Sequence, residues 1–262
     1  MASATRLVAF TGSGVSEESG IPTFRDPGGL WDRFDPAQFG SGDIFFTMLS
    51  GARPSAQAQS FIREMVKVFE AARPNPGHLA LCALEDMGIL RAIITQNIDG
   101  LHRQAGSLHV IEVHGSVYRL ACLECNQKMM LSHEEFVRLG KRLAEMVGLA
   151  QLEELLRMVP RCPCGGFFRL DVVGFGEPVQ DFSEALWEAE HCDVLLVLGT
   201  SGVVMPAASL PAKAKAQGAG VIEVNAHAGS FSSIADVTII GRTGDVVPLL
   251  VDEIRGLKSA SG

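Results

Sequence analysis

Six short runs of aliphatic and β-branched residues, spread through a chain of 262 residues, limit the fold more than any other feature of the sequence. They are Leu7–Phe10, Ala92–Thr95, His109–Val113, Val194–Leu198, Val221–Val224 and Val237–Ile240. Several are continuously apolar, as parallel strands covered on both faces require. Among them, Gly77–Met87, Phe182–Glu190, Ala207–Gln217 and Gly244–Ile254 space their apolar residues as helices do. Repetition of strand, helix and strand predicts an α/β fold with a doubly wound parallel sheet.

Two regions interrupt this rhythm. Residues 32–75 are rich in Gly, Pro, Gln and Phe and read as loop with short helices. Residues 118–170 hold two close cysteine pairs around the charged, helical stretch Ser132–Met158, and read as a small module inserted into the sheet domain. The sheet domain is expected over 1–117 and 171–262, with the loop and helical part of 32–75 joining the small module. Composition narrows the partners. A formal net charge of −8 argues against a protein that grips a nucleic-acid backbone. No apolar stretch approaches the ~20 residues that span a bilayer. A soluble, cytoplasmic protein with neither a membrane nor a nucleic-acid partner is expected.

The turn Gly12-Ser13-Gly14 follows the first apolar run, where a strand should hand over to a helix. Glycines let a backbone approach a ligand closely, and unpaired N–H groups at a helix N-terminus favour an anion, so α/β proteins bind phosphates at such turns. The pattern fits neither common nucleotide fingerprint. Glu17 stands where G-x-G-x-x-G needs its third glycine, and no Gly-Lys-Ser/Thr is present. Plain turns also give Gly-Ser-Gly, but the continuation from Gly20 through Pro22, Phe24 and Arg25 to Asp26 is too particular for a connector.

Other strand ends are polar too. Gln96, Asn97 and Asp99 follow the second run, where ligands bind in open α/β sheets; Asn97 or Asp99 could equally cap the next helix, whereas Gln96 has no such reason to be there. Gly199, Thr200 and Ser201 follow the fourth run, and Asn225 ends the fifth, so one crevice collects them. His114 ends the third run before Gly115, as an exposed general base would, although a strand-end histidine also reads as structural. His102, His133 and His191 read as surface or capping residues, and His78 as the organiser of a helix start. Cys122, Cys125, Cys162 and Cys164 make a four-thiolate zinc site. Such a shell leaves no position for water, so the metal would be structural. The Cys162-x-Cys164 spacing is one residue shorter than usual.

In combination and in order, these motifs resemble the sirtuin family of NAD-dependent protein deacylases. The resemblance rests on Gly12–Ser16, Gly20–Arg25, Thr95–His102, His114-Gly115, the cysteine pairs, Phe175–Glu177, Gly199–Ser201 and Asn225, and runs from about residue 5 to about residue 255. It implies a Rossmann-like domain bearing a small zinc module, with NAD and an acyl-lysine peptide as substrates. Gly12, Ser13, Gly14 and Ser16 would lie against the pyrophosphate, and Phe24 and Arg25 in a loop closing over NAD. Gln96, Asn97 and Asp99 would surround the nicotinamide and its ribose. Gly199, Thr200, Ser201 and Asn225 would hold the adenosine half, and Thr243 or its neighbours would border the adenine. Val173, Gly174, Phe175, Gly176 and Glu177 would line the peptide groove. His114 would be the general base, with Asn97 and Asp99 beside it in catalysis. The products would be free lysine, nicotinamide and O-acyl-ADP-ribose.

Relatives that prefer succinyl or malonyl groups resemble one another in a Tyr-x-x-Arg pair. Here the one tyrosine is Tyr118, and Ile62 and Met65 stand at the corresponding positions. An apolar acyl pocket, suited to acetyl or longer fatty acyl groups, is expected. Gly174 and Gly202 stand where bulkier residues are common, and would widen the groove. Two rival readings use the same NAD site: protein mono-ADP-ribosyl transfer, and a non-catalytic NAD-binding module. A dehydrogenase is excluded by the missing third glycine and the thiolate module.

Overall fold

The computed structural model describes residues 1, 4–23, 29, 32, 34, 55–145 and 157–261. The chain divides into two compact units, Met1–Thr23 with Arg73–Val113 and Val179–Gly262, and Phe24–Ala72 with His114–Pro178. In chain order the strands among the described residues are β1 (Leu7–Thr11), β2 (Leu90–Thr95), β3 (Val110–Glu112), β4 (Gly115–Cys122), β5 (Lys128–Met130), β6 (Phe168–Val172), β7 (Val194–Leu198), β8 (Gly220–Asn225) and β9 (Val237–Ile240). The α-helices whose bounds lie among the described residues are α1 (Ala56–Ala71), α2 (Pro76–Asp86), α3 (Leu101–Gln104), α4 (His133–Ala144), α5 (Phe182–Glu190), α6 (Leu210–Ala216) and α7 (Thr243–Ser261).

The first unit is a six-stranded parallel sheet in the order β3-β2-β1-β7-β8-β9, the doubly wound arrangement. Period-two alternation sends Val8, Phe10, Leu195, Val197 and Val221 into a core shared with Ala185 and Ala189 of α5 and Leu210 and Ala214 of α6. It sends Leu7, Ala9, Leu196, Leu198 and Val224 to the other face, against Leu81 and Leu84 of α2 and Val247 and Val251 of α7. Each Val, Leu or Phe among them contributes about 1.5–3 kcal/mol on full burial. The continuously apolar strands are thus explained by helices on both faces. Helix α2 starts on a capping box, Asn75 accepting from the Gly77 and His78 N–H groups while His78 Nδ1 accepts from the Asn75 N–H.

The second unit holds the three-stranded antiparallel sheet β5-β4-β6 and the helix pair α1 and α4. Helix α1 corrects the expectation of short helices in 32–75: it runs for 16 residues, capped by Ser55, with Val66 and Phe69 buried three apart. The glycines and prolines concentrated earlier in that region hide the helical period when the whole stretch is averaged. Helix α4 opens on the Ser132 and Glu135 capping box. No helix among the described residues is long and apolar enough to cross a membrane.

Candidate active site

The C-terminal ends of β1, β2, β7 and β8 carry a connected set of polar groups. Thr11 and Thr95 end neighbouring strands in register, and their hydroxyls meet at 2.8 Å. Thr95 Oγ1 then accepts the Asn97 N–H, and Gln96 reaches from β2 to donate to Thr200 Oγ1 at 2.9 Å. Asn97 Nδ2 donates to the Gly12 carbonyl at 3.1 Å and to Ser16 Oγ at 3.0 Å. Ser16 in turn donates to Asp99 Oδ2 at 2.7 Å, while Asp99 Oδ1 accepts the Leu101 N–H and caps α3. Asn225 Nδ2 donates to the Thr200 carbonyl at 3.0 Å. Gln96, Ser13, Gly14 and Asn225 are half-buried, Ser201 is exposed, and Ser16, Asn97, Asp99 and Thr200 are buried.

The Gly12-Ser13-Gly14 turn differs from its expected form. It leads into two 3₁₀ turns, Ser13–Val15 and Glu17–Ser19, instead of an α-helix. The Gly12 and Gly14 N–H groups are bonded to the Leu198 and Gly199 carbonyls at 3.0 and 2.8 Å. A Cβ on Gly12 would lie 2.7 Å from Thr200 Cβ, and one on Gly14 would lie 2.9 Å from Gly199 Cα. These glycines are needed first for the close approach of two strand ends. Thr243 is buried at the start of α7, its Oγ1 without a hydrogen-bond partner among the described residues. Phe24 and Arg25 lie outside the described residues.

Two histidines, His102 and His78, belong to the buried core of this network. His102 is 2% exposed, with Nε2 3.1 Å from Thr11 Oγ1, which corrects its reading as a surface or capping residue. His78 organises the start of α2, as expected, and also faces Ser16 Oγ with Nε2 at 3.4 Å. Their rings lie 4.8 Å apart between centroids. Burial lowers His78 to about 4, and burial with the neighbouring His78 holds His102 well below the usual histidine range. Burial pushes the Asp99 carboxyl up, against the opposing bonds from the Leu101 N–H and Ser16. Thr11 and Thr95 were detectable from sequence, since two apolar runs end in the same hydroxyl residue.

In the second unit, His114 is half-buried at the head of β4, and its carbonyl accepts the Val173 N–H at 3.0 Å. The antiparallel pairing of Gly115 with Val172 thus holds His114 opposite the segment Val173–Glu177. Glu177 is the frame of that segment. It takes Arg169 in a two-pronged ion pair at 2.6 and 2.8 Å and accepts the Gly174 N–H at 3.0 Å, which depresses its carboxyl. Gly176 adopts φ +85°, and Phe175 is 51% exposed at the tip. Ile62 is partly buried and packs with Leu139 and Leu143 between α1 and α4.

The four cysteine sulfurs lie within 4.8 Å of one another, with Cys122 and Cys164, and Cys125 and Cys162, at 3.5 Å. A tetrahedral zinc with ~2.3 Å bonds separates its sulfurs by about 3.8 Å, so the donor set fits that ion. The short second pair is accommodated by a turn in which Gly165, at φ +91°, returns its N–H to the Cys162 carbonyl. A Cβ on Gly166 would lie 2.7 Å from Cys122 Sγ.

The Sir2 family model matches residues 12–206. An NAD-dependent protein deacylase of Desulfosudis oleivorans is 45% identical over 100% of this chain and 95% of its own length. Among solved structures, a Sir2 homolog–NAD complex is 36% identical with a TM-score of 0.78, covering 98% of this chain and 91% of its own. A Sir2–p53 peptide–NAD+ complex is 30% identical with a TM-score of 0.75, covering 97% and 95%.

Proposed function

This chain belongs to the Sir2 family, and from that premise we infer an enzyme that removes acyl groups from protein lysines at the expense of NAD. It is an NAD-dependent protein deacylase with one structural zinc. The observation that carries the reading is the polar set at the ends of β1, β2, β7 and β8, in a chain whose relatives bear that activity over their full length.

NAD would supply an electrophilic ribose carbon, to which the oxygen of the acyl-lysine amide bonds as nicotinamide departs. Asn97 and Asp99 hold and orient the nicotinamide ribose, their side chains fixed through Ser16. Thr200, Ser201 and Asn225 hold the adenosine half, and Gly12, Ser13, Gly14 and Ser16 the pyrophosphate side. His114 acts as general base, taking the proton of a ribose hydroxyl so that its oxygen attacks the acyl carbon. Val173–Glu177 receives the peptide, with Glu177 framing the segment through Arg169 and the Gly174 N–H. Cys122, Cys125, Cys162 and Cys164 would hold the zinc, which ties down the small unit. Met65 and the absence of a Tyr-x-x-Arg pair favour acetyl or fatty acyl groups over acidic ones. A cytoplasmic location without nucleic-acid contact fits the paired thiols and the charge of −8.

A panel of acetyl, butyryl, myristoyl and succinyl lysine peptides with NAD tests the reading. The expected result is O-acyl-ADP-ribose from the neutral acyl groups, lost by at least about a hundredfold in His114→Ala. Labelled protein without O-acyl-ADP-ribose would establish ADP-ribosyl transfer instead, and succinyl turnover exceeding acetyl would overturn the apolar pocket.

A further inference from the structure

Glu223 is an acidic residue that no role described above absorbs. It lies in β8, two residues before Asn225 and on the same face, and is 1% exposed. Oε2 accepts from Ser232 Oγ at 2.5 Å, whereas Oε1 is buried without a hydrogen-bond partner, and no ion pair to Glu223 is found among the described residues. A buried carboxylate oxygen left without a donor is costly. The face of Gly229 that lacks a side chain lies over it. A Cβ there would come 2.9 Å from Glu223 Oε1, 3.2 Å from Asn225 Nδ2 and 3.7 Å from the Thr200 carbonyl. The carboxylate therefore shares one cradle with Asn225 and Thr200, assigned above to the adenosine half of NAD. Ser232 joins it to the loop: it donates to Glu223 and accepts the Gly229 N–H at 3.1 Å, while Ser230 Oγ donates to the Ser201 carbonyl at 2.9 Å.

The geometry points to Glu223 as the residue that makes this enzyme select NAD over its 2′-phosphorylated form, an assignment that rests on the NAD reading given above. An adenosine ribose offers hydroxyl donors to an acceptor that lacks one. A 2′-phosphate offers acceptors and negative charge instead, and meets an acidic side chain that has no ion-pair partner among the described residues. A site built around an unsatisfied polar group rejects an analogue that cannot pair with it far better than an apolar pocket does.

Titration calorimetry on the full chain with ADP-ribose and with 2′-phospho-ADP-ribose tests this without recourse to turnover. The native chain is expected to bind ADP-ribose at least about tenfold more tightly than the 2′-phosphate, and Glu223→Gln to narrow that ratio to about threefold or less. Ser232→Ala keeps the charge and removes only the tie to the loop, so it is expected to retain the native ratio. Equal affinities in the native chain overturn the proposal whether or not the variant folds. A ratio unchanged in folded Glu223→Gln, or lost equally in Ser232→Ala, also overturns it while leaving the NAD reading standing. Failure to bind either nucleotide removes both.

Discussion

Ser16 donates its hydroxyl proton to Asp99 across 2.7 Å, and its neighbours leave it no other direction to point. The Asn75 N–H donates to His78 Nδ1, so the ring proton of neutral His78 sits on Nε2 and faces Ser16 Oγ. Asn97 Nδ2 donates to the same oxygen. With two donors directed at it, the Ser16 oxygen can only send its own hydrogen to Asp99.

Removing that hydroxyl in Ser16→Ala leaves a fully buried carboxylate with one donor fewer. The Asp99 carboxyl, already pushed up by burial, is expected to rise further, and the acidic limb of the pH profile for NAD turnover to move to higher pH. The lost bond should cost about 1–3 kcal/mol of stability. Rate measurements from pH 5 to 9 check this, and an acidic limb that stays in place in a folded Ser16→Ala enzyme would sink it.

The buried histidines give stability a pH dependence of known sign. His78 titrates at about 4 in the folded chain, against about 6.5 when unfolded. The unfolded chain therefore takes up the proton first as pH falls, and the stabilisation present above pH ~6.5 is lost on the way down to 4. The gap corresponds to about 3 kcal/mol. His102 acts in the same direction. Asp99, raised by burial, opposes both: its share is present at low pH and lost as pH rises through its folded value. Denaturant melts at pH 7 and pH 4.5 should show a marked fall in stability, smaller in His78→Gln; equal slopes in the two proteins would remove His78 from the account.

The parallel sheet was legible because its strands are buried on both faces, which forces continuous apolar runs such as Val194–Leu198. The thiolate cluster was legible because metal geometry demands close pairs. The buried polar network was less so, because its members come from four segments: His78 and His102 gain their meaning only when α2 and α3 bring them within 4.8 Å. Glu223 was hidden for a related reason. A charged residue inside β8 looks like a solvent-facing position until helices cover that face as well.

Gly202 shows how a glycine can mislead when read alone. A wider groove was expected from it, yet it adopts φ +70° and a Cβ there would lie 2.7 Å from Phe231 Cε2. Gly202→Ala is therefore expected to destabilise the sheet unit by about 1–3 kcal/mol while leaving acyl preference unchanged. Thermal melts and the acyl panel together check this. Gly174 is not held in the left-handed region, and Gly174→Leu remains the test of groove width, expected to slow long-chain substrates selectively.

Helices α1 and α4 meet at a point with no spare volume. A Cβ on Gly140 would overlap Val66 Cγ2, closer than any real contact. Gly140→Ala would gain helix propensity on α4 by up to about 1 kcal/mol, but the forced displacement of Val66 outweighs it. Net destabilisation of about 1–2 kcal/mol is expected. Val66→Ala in the same chain removes the colliding methyl and should recover part of the loss, which a double-mutant cycle measures; additive effects would show that the two residues do not compete for the same space.

Metal removal should act on folding before it acts on chemistry. The sulfurs of Cys122 and Cys125 come from the end of β4 and its following turn, those of Cys162 and Cys164 from the turn before β6, so one ion joins two separate segments of the small unit. Among the described residues the apolar support behind them is small, with Leu120 and Phe168 buried and partly buried neighbours around them. Chelation is therefore expected to release one zinc per chain and to abolish amide-exchange protection in β4, β5 and β6, while β1, β2 and β7, packed on both faces, keep theirs. Deacylation should fall with the protection and return when zinc is restored. Activity lost while β4–β6 stay protected would place the metal in the chemistry, contrary to a four-thiolate shell with no position for water.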